Sequence, residues 1–498
     1  MSGNSQLFAI DIAVIVIYLL AMLGVGVYFS LRNKSSDDYL LGGRRMPSWS
    51  VGLSLFASLL STISFLAWPG EIIKHGPTIV CQVFAYPIIF FIVGRYLIPV
   101  IMQQRVTSAY EILETRLGAA TRYLASTIFL TLRLLWMSVI VYATTEKVIV
   151  PVFHLPESAG PWIGLILCGI TVAYSVLGGL RAVVATDVVQ TFVLLSGAIG
   201  SLLLITYELG GVDAWLPNTW PEHWSTPRLW FHTDERSILG FMLSIVAWYV
   251  ATAGSDQIAI QRYLATRDAR TARRVLGTAL AVEACTFVFM ALVGLALLAW
   301  FTAHADWLGP GESVTGTPDR LFPRFLVHGL PPGVSGLIVA GMMAAAMSSL
   351  SSGINASASV IIADFIEGLF GWRLESSTRL RVAQVASAAV GIIVVVLALA
   401  VRRIDSNLYE VTVRVANLMT APLFVLFFMA IFVRGATQVT AWIAAFTSVA
   451  VAVFISFFGQ YHGLGFLWIV PLSLASGATA GMIATALVGR GDSQLRES

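Results

Sequence analysis

Charge is what this chain has least of. Of its 498 residues, 11% are Asp, Glu, Lys or Arg, against about 25% in ordinary soluble domains. Thirty Lys and Arg set against 27 Asp and Glu leave a net charge of +3. No basic cluster stands out, which argues against a nucleic-acid partner. Cysteine is scarce too. Cys81, Cys168 and Cys285 all fall in apolar runs, so no disulfide framework is expected. The sequence offers no nucleophile–base pair, no metal-ligand cluster of His and Cys, and no phosphate loop. Gly178-Gly179 joins two apolar stretches and reads as a turn. Neither an enzyme nor an organic cofactor is expected. The first apolar segment, Phe8 to Phe29, lacks a basic flank and is too long for a signal-peptide core, so no cleavable leader is expected.

What the chain has is apolar sequence. It is 57% hydrophobic, with a mean hydropathy of +0.82. One apolar stretch of about 20 residues crosses a bilayer. Thirteen such stretches can be counted, at 8–31, 48–69, 77–104, 121–153, 160–178, 185–207, 238–258, 275–303, 321–366, 378–401, 407–433, 438–458 and 465–488. The expected class is therefore an all-α polytopic membrane protein with a lipid bilayer around it. The ninth stretch exceeds one span and should divide into an amphipathic piece around Pro323–Pro331 and a span proper from about Gly333.

Orientation follows the Lys and Arg of short loops. With the N-terminus outside, the cytoplasmic side carries Arg32, Lys34, Arg44 and Arg45, then Arg105, Arg116 and Arg122. Further along come Arg262, Arg267, Arg270, Arg273 and Arg274, then Arg373, Arg379 and Arg381. The loops 208–234 and 304–319 are acidic or mixed. Arg402 and Arg403 run against the rule. The balance predicts a multi-pass protein of the plasma (inner) membrane, N-terminus out and C-terminus in.

Two spans are interrupted. Ser54, Ser58, Ser61, Thr62 and Ser64 punctuate the second, and Pro69-Gly70 ends it. Thr252-Ala253-Gly254-Ser255-Asp256-Gln257 breaks the seventh. Five spans separate them, and an odd offset inverts the second copy. Paired broken helices are the sequence mark of an inverted-repeat transporter. Residues 48–207 and 238–433 would be the repeats, 1–47 a peripheral first helix with its loop, and 438–498 two peripheral helices and a short tail. A third polar feature is the run Ala345-Ala346-Met347-Ser348-Ser349-Leu350-Ser351-Ser352. Neutral hydroxyls in an apolar helix suit a hard cation such as sodium. Small residues also line close helix contacts.

In order and spacing, four motifs make the chain resemble the sodium:solute symporter family. They are Asp38-Tyr39-Leu40-Leu41-Gly42-Gly43-Arg44, Gly178-Gly179-Leu180-Arg181-Ala182-Val183-Val184-Ala185-Thr186-Asp187, Ser255-Asp256-Gln257 with Gln261-Arg262-Tyr263-Leu264, and the serine run. The resemblance covers residues 8 to 458. It implies a leucine-transporter type of fold, with five plus five inverted helices and alternating access. It also implies a first sodium site from Ala57, Leu60, Ala345, Ser348 and Ser349, Ala57 and Leu60 contributing backbone carbonyls. Some members have a second site, whose parts here are Asp187, Ser348, Ser351 and Ser352. Asp187 can equally be read as an acid favoured at a helix start.

Substrate candidates near the midplane are Ser61, Thr62, Ser64, Gln82 and Tyr86, with Tyr249 and Thr252 where the family has substrate and outer-gate residues. Each can also be an interhelical hydrogen bond. Two arginines tilt the reading towards an anion. Arg133 lies twelve residues into its span, roughly 18 Å at 1.5 Å per residue. At that depth Arg costs at least ~2.5–3.5 kcal/mol on insertion scales, so it should face a cavity or a partner. Arg414 lies where sugar-transporting relatives have a neutral amide, though it can also snorkel beside Glu410. A guanidinium fork suits a carboxylate. The expectation is a sodium-coupled symporter, a monomer, for a carboxylate or acidic sugar such as sialic acid. The alternatives are a neutral-sugar symporter, a proton-coupled carrier using Glu283 or Asp187, and a sensor without transport. The tail Gly489–Ser498 is short for a signalling domain. Glu283 also reads as a structural hydrogen-bonding group.

Overall fold

The computed structural model describes residues 9–33, 35–60, 62–104, 106–150, 155–231, 236–309, 311–328, 333–401 and 408–497. It is nearly all helix. Ten helical stretches are long and apolar enough to cross a membrane, and Ser48–Leu59 and Asn417–Phe432 are shorter apolar ones. The helices that matter below are α1 (Ala9–Ser30), α2 (Ser48–Leu59), α3 (Thr62–His75), α4 (Ala119–Tyr142), α5 (Gly160–Leu209), α6 (Ile238–Ser255) and α7 (Gln257–Leu264). They continue with α8 (Ala269–Ala303), α9 (Val334–Val360), α10 (Ser376–Val401), α11 (Leu408–Phe432), α12 (Gln438–Phe458) and α13 (Ile469–Glu497).

Burial ranks them. The most apolar window of Val334–Leu369 is 94% buried and that of α1 only 17%, so α9 is the central post and α1 lies at the edge. The two are nonetheless joined. Asp11 of α1, itself buried, accepts hydrogen bonds from the Gly333 amide at 2.7 Å and the Gly336 amide at 2.8 Å. It thereby caps amides that the first turn of α9 cannot pair internally. The expected amphipathic piece before α9 is the helix Leu321–His328.

The 50 residues of α5 are about 75 Å of helix, long enough for two spans. They turn at Gly179, where φ is 58° and ψ −156°. A Cβ there would stand 2.5 Å from the Tyr39 carbonyl oxygen, so both the conformation and the space require glycine.

Both interruptions exist. Between α2 and α3, Leu60 is extended at φ −79°, ψ 122°. Between α6 and α7, Asp256 is extended at φ −78°, ψ 127°. The expectation that Pro69-Gly70 ends the second span fails, because α3 runs through Pro69 to His75. Gly294 of α8 packs there so closely that a Cβ would meet the Pro69 carbonyl at 2.9 Å.

Two arginines of the orientation count are also corrected. Arg262 is fully buried within α7. Arg122 keeps only 8% of its side chain exposed, with its Nε 2.7 Å from Asp364 Oδ1 and its Nη1 2.5 Å from Glu114 Oε2. Both charges are met by internal acids, not by a loop's solvent. Lys34, Arg105, Arg402 and Arg403 lie outside the described residues.

Candidate functional site

At each break the last helical amide still closes its turn: Leu60 N to Phe56 O and Asp256 N to Thr252 O, both at 3.0 Å. The carbonyls that follow have no helical amide to meet. At the first break the Ser349 hydroxyl of α9 supplies a donor, 3.2 Å from the Leu60 carbonyl and 3.5 Å from that of Ser58. The serine run therefore faces the α2–α3 break. Ala57, Ala345 and Ser348 are buried with it.

Behind this contact lies a second polar nest. Asp187 is buried completely. Its Oδ1 accepts from Ser348 at 2.6 Å and its Oδ2 from Ser54 at 2.5 Å. It lies eight residues beyond the Gly179 turn, about 12 Å along the helix, which is too far for a first-turn acid. The surprise is Arg262. Its Nη2 donates to Ser352 Oγ at 2.5 Å, Ser58 Oγ at 3.1 Å and Ser54 Oγ at 3.3 Å, and stands 3.7 Å from Asp187 Oδ2. Ser352 is also 2.6 Å from Ser58 Oγ. A guanidinium thus sits among the oxygens. Ser351 turns away and donates to the Ser348 carbonyl at 3.1 Å.

A cavity of about 350 Å³ opens beside the two breaks. Gln82, Arg133 and Thr252, all expected substrate residues, line it. So do Trp68, Trp136, Trp248, Asp256, Glu283, Asn417 and Thr420, which give it an aromatic wall with separate polar points. Tyr86 and Tyr249 pack outside that lining. Their rings meet edge to face at 5.9 Å, and the Tyr86 hydroxyl donates to Glu283 Oε1 at 3.2 Å. Ser61 and the side chains of Thr62, Ser64 and Arg414 lie outside the described residues.

Arg133 meets both halves of its expectation. It faces the cavity and it has a partner, since its Nη2 is bonded to Asp256 Oδ2. Its side chain is 13% exposed, its guanidinium stands 5.4 Å from the Phe129 ring centre, and its Nε is buried without a hydrogen bond. Asp256 Oδ1 caps α7 by accepting from the Ile258 amide at 2.7 Å.

The residues that sequence reasoning left without a role are Ser54, Ser58, Asp256 and Arg262. Ser54 and Ser58 had a usable signal, being one helical turn apart and so on one face.

On the side of the breaks away from the cavity, polar contacts knit the helices together. The Gln257 side chain bonds the Ala109 amide at 2.7 Å and the Thr107 carbonyl at 2.9 Å. Gln261 donates to the Leu40 carbonyl at 2.7 Å and to Ser359 at 2.9 Å. The cavity lining reaches from the breaks to Trp68 in the first half of α3 and Ile245 in the earlier half of α6.

Known proteins share this fold. The profile of the sodium:solute symporter family matches residues 39–447. The chain is 29% identical over 494 residues to the sodium/sialic acid symporter SiaT of Proteus mirabilis (strain HI4320), covering 96% of this chain and 95% of that protein. It is 27% identical over 458 residues to sodium-coupled monocarboxylate transporter 1 of Homo sapiens, covering 89% and 72%. It superposes on the substrate-bound outward-open state of a Na+-coupled sialic acid symporter with a TM-score of 0.84 at 28% identity, over 96% of this chain and 98% of that one. The nucleobase-cation-symport-1 family transporter Mhp1 matches in fold alone, with a TM-score of 0.57 at 11% identity over 93% and 96%. The broken-helix architecture is that of the leucine-transporter type, and the chain belongs to the sodium:solute symporter family.

Proposed function

We propose that the chain is a sodium-coupled secondary active symporter that imports a small organic anion, a carboxylate or an acidic sugar such as sialic acid, by alternating access. The observation that carries the anion is Arg133: a membrane-depth guanidinium on a cavity beside both breaks, with a buried Nε still free of a hydrogen bond. The names of the relatives, a sialic acid symporter and a monocarboxylate transporter, agree with it.

The first sodium site is formed by the Ala57, Leu60 and Ala345 carbonyls with the Ser348 and Ser349 hydroxyls. The Ser349–Leu60 approach of 3.2 Å supports that pairing, and hard neutral oxygens suit the ion. A second site uses Asp187, Ser348 and Ser352, with Ser54 and Ser58 in reach. Ser351 contributes its position on the helix and not its hydroxyl. Sodium entering this site competes with Arg262 for the same oxygens.

Thirteen spans, an outer N-terminus and a cytoplasmic C-terminus in the plasma (inner) membrane complete the reading. The cavity then opens outward and the Gln257 and Gln261 contacts close the cytoplasmic side. The protein works as a monomer.

The test is a thermal-shift screen of the purified protein across carboxylates and sugars, with and without sodium. A ligand that binds only the folded state raises its apparent stability. Sodium-dependent hits among carboxylates, lost in Arg133→Ala, are expected. Hits confined to neutral sugars and unaffected by Arg133→Ala would overturn the anion assignment. Uptake should rise sigmoidally with sodium, and Asp187→Asn should bring the Hill coefficient to one. A coefficient of one in the native protein would remove the second site.

A further inference from the structure

We propose that Glu283 is a specificity-determining acceptor at a second pole of the cavity, reading hydroxyl, amide or ammonium donors carried on the tail of a carboxylate ligand. The proposal rests on the reading of Arg133 as the carboxylate clamp and adds what the rest of the ligand must contain.

Glu283 is an acid within the apolar helix α8, and its side chain is part of the cavity lining. Ionisable groups at such depth usually mark a site or a pathway. Its hydrogen-bond partner among the described residues is the Tyr86 hydroxyl, which engages Oε1 alone. A carboxyl group has about four acceptor positions, so most of its capacity remains for a ligand in the cavity that it lines. Among the described residues no cation lies within ion-pairing distance of it. A purely structural acid in this setting would be expected to have its second oxygen satisfied by protein.

Its position is fixed relative to Arg133. Tyr86, which orients Glu283, packs on Tyr249 of α6. Asp256, which holds Arg133, follows seven residues later. Seven residues of helix rise about 10 Å, so Tyr249 and Asp256, on which the two poles lean, lie about that far apart along the chain of α6. Gln82 lines the same cavity; it lies one turn before Tyr86 and adds an amide that can donate or accept. An acid of three or four carbons bound at Arg133 would leave Glu283 unmatched, whereas a carboxylate with a polyhydroxylated or N-acylated tail would satisfy both.

The full-length protein in liposomes gives the test. Sodium-driven uptake and its competition are measured with two groups of acids: short monocarboxylates such as acetate and lactate, and donor-tailed acids such as glucuronate and N-acetylneuraminate. Glu283→Gln exchanges one acceptor for a donor while keeping size. It should weaken apparent affinity for donor-tailed acids about tenfold or more and alter that for short acids less than about twofold. Tyr86→Phe, which leaves the carboxyl in place but unsteered, should give a smaller shift of the same selectivity, and it serves if Glu283→Gln does not fold. Equal weakening of both groups, or of neither, would overturn the proposal; uniform loss of sodium-driven uptake with a displaced pH profile would identify a proton-coupling group instead. Failure of the underlying reading looks different: no acid binds the native protein, or Arg133→Ala leaves acid binding untouched.

Discussion

The two broken spans are the same device with different fillings. Leu60 and Asp256 have nearly superimposable backbone angles, −79°/122° and −78°/127°. Each closes its last turn with a 3.0 Å hydrogen bond from its amide to the carbonyl four residues back. Each break then has a carbonyl met by a hydroxyl from another part of the chain: Ser349 of α9 on Leu60 at 3.2 Å, and Tyr110, just before the helix Glu111–Leu117, on Ser255 at 3.3 Å. What differs is the side chain at the bend. Leucine leaves carbonyl dipoles as the polarity of the first break. Aspartate gives the second a charge, which caps α7 and engages Arg133. In the proposed assignment, an internal duplication keeps a backbone geometry while its two copies take opposite electrostatic roles, one turned to a cation and the other, through Arg133, to an anion.

Breaking this comparison at its charged end should have the largest effect. A hydrogen bond to a charged group contributes about 1.5–3 kcal/mol, so Arg133→Ala should lower carboxylate affinity by roughly ten- to a hundredfold. Isothermal titration in sodium measures it, and a change under threefold would dissociate Arg133 from the substrate.

At the cation end, Ser349→Ala removes the hydroxyl facing Leu60 and should raise the half-saturating sodium concentration about tenfold. Ser351→Ala should move it less than about twofold, since that hydroxyl donates to the Ser348 carbonyl and not to the Leu60 break. Equal effects from the two serines would erase the distinction between them.

The smallest change sharpens the contrast. Asp256→Asn keeps a good N-cap residue and frees Arg133 from its internal carboxylate. Carboxylate affinity should then rise severalfold, whereas a fall would mean that Asp256 helps by positioning the guanidinium and does not compete for it.

Both breaks were legible because polar and small residues interrupt otherwise apolar runs, and a polar side chain is visible in sequence. Carbonyl ligands were not, because every residue carries the same backbone; Ala57 and Leu60 came only through the family motif. Arg262 was misread as a loop charge, since counting positive residues says nothing about the acid a guanidinium finds across the fold. At 100° per residue, Ser351 and Ser352 flank Ser348 on one face of α9, and the structure turns the Ser352 hydroxyl toward Arg262 and the Ser351 hydroxyl back to the Ser348 carbonyl. Tyr86 and Tyr249 were expected on the cavity wall because an aromatic hydroxyl in an apolar run looks the same whether it touches a ligand or steadies the residue that does.

The Asp11 cap has a practical corollary for reducing such transporters to a minimal core. By position α1 looks dispensable, a strut outside the ten-helix repeat. Yet trimming it away would strip the acceptor from two amides at the head of α9, which the helix cannot pair within its own first turn. The post that bears the serine run would fray from its top, and the loss would register as weakened ion binding far from the cut.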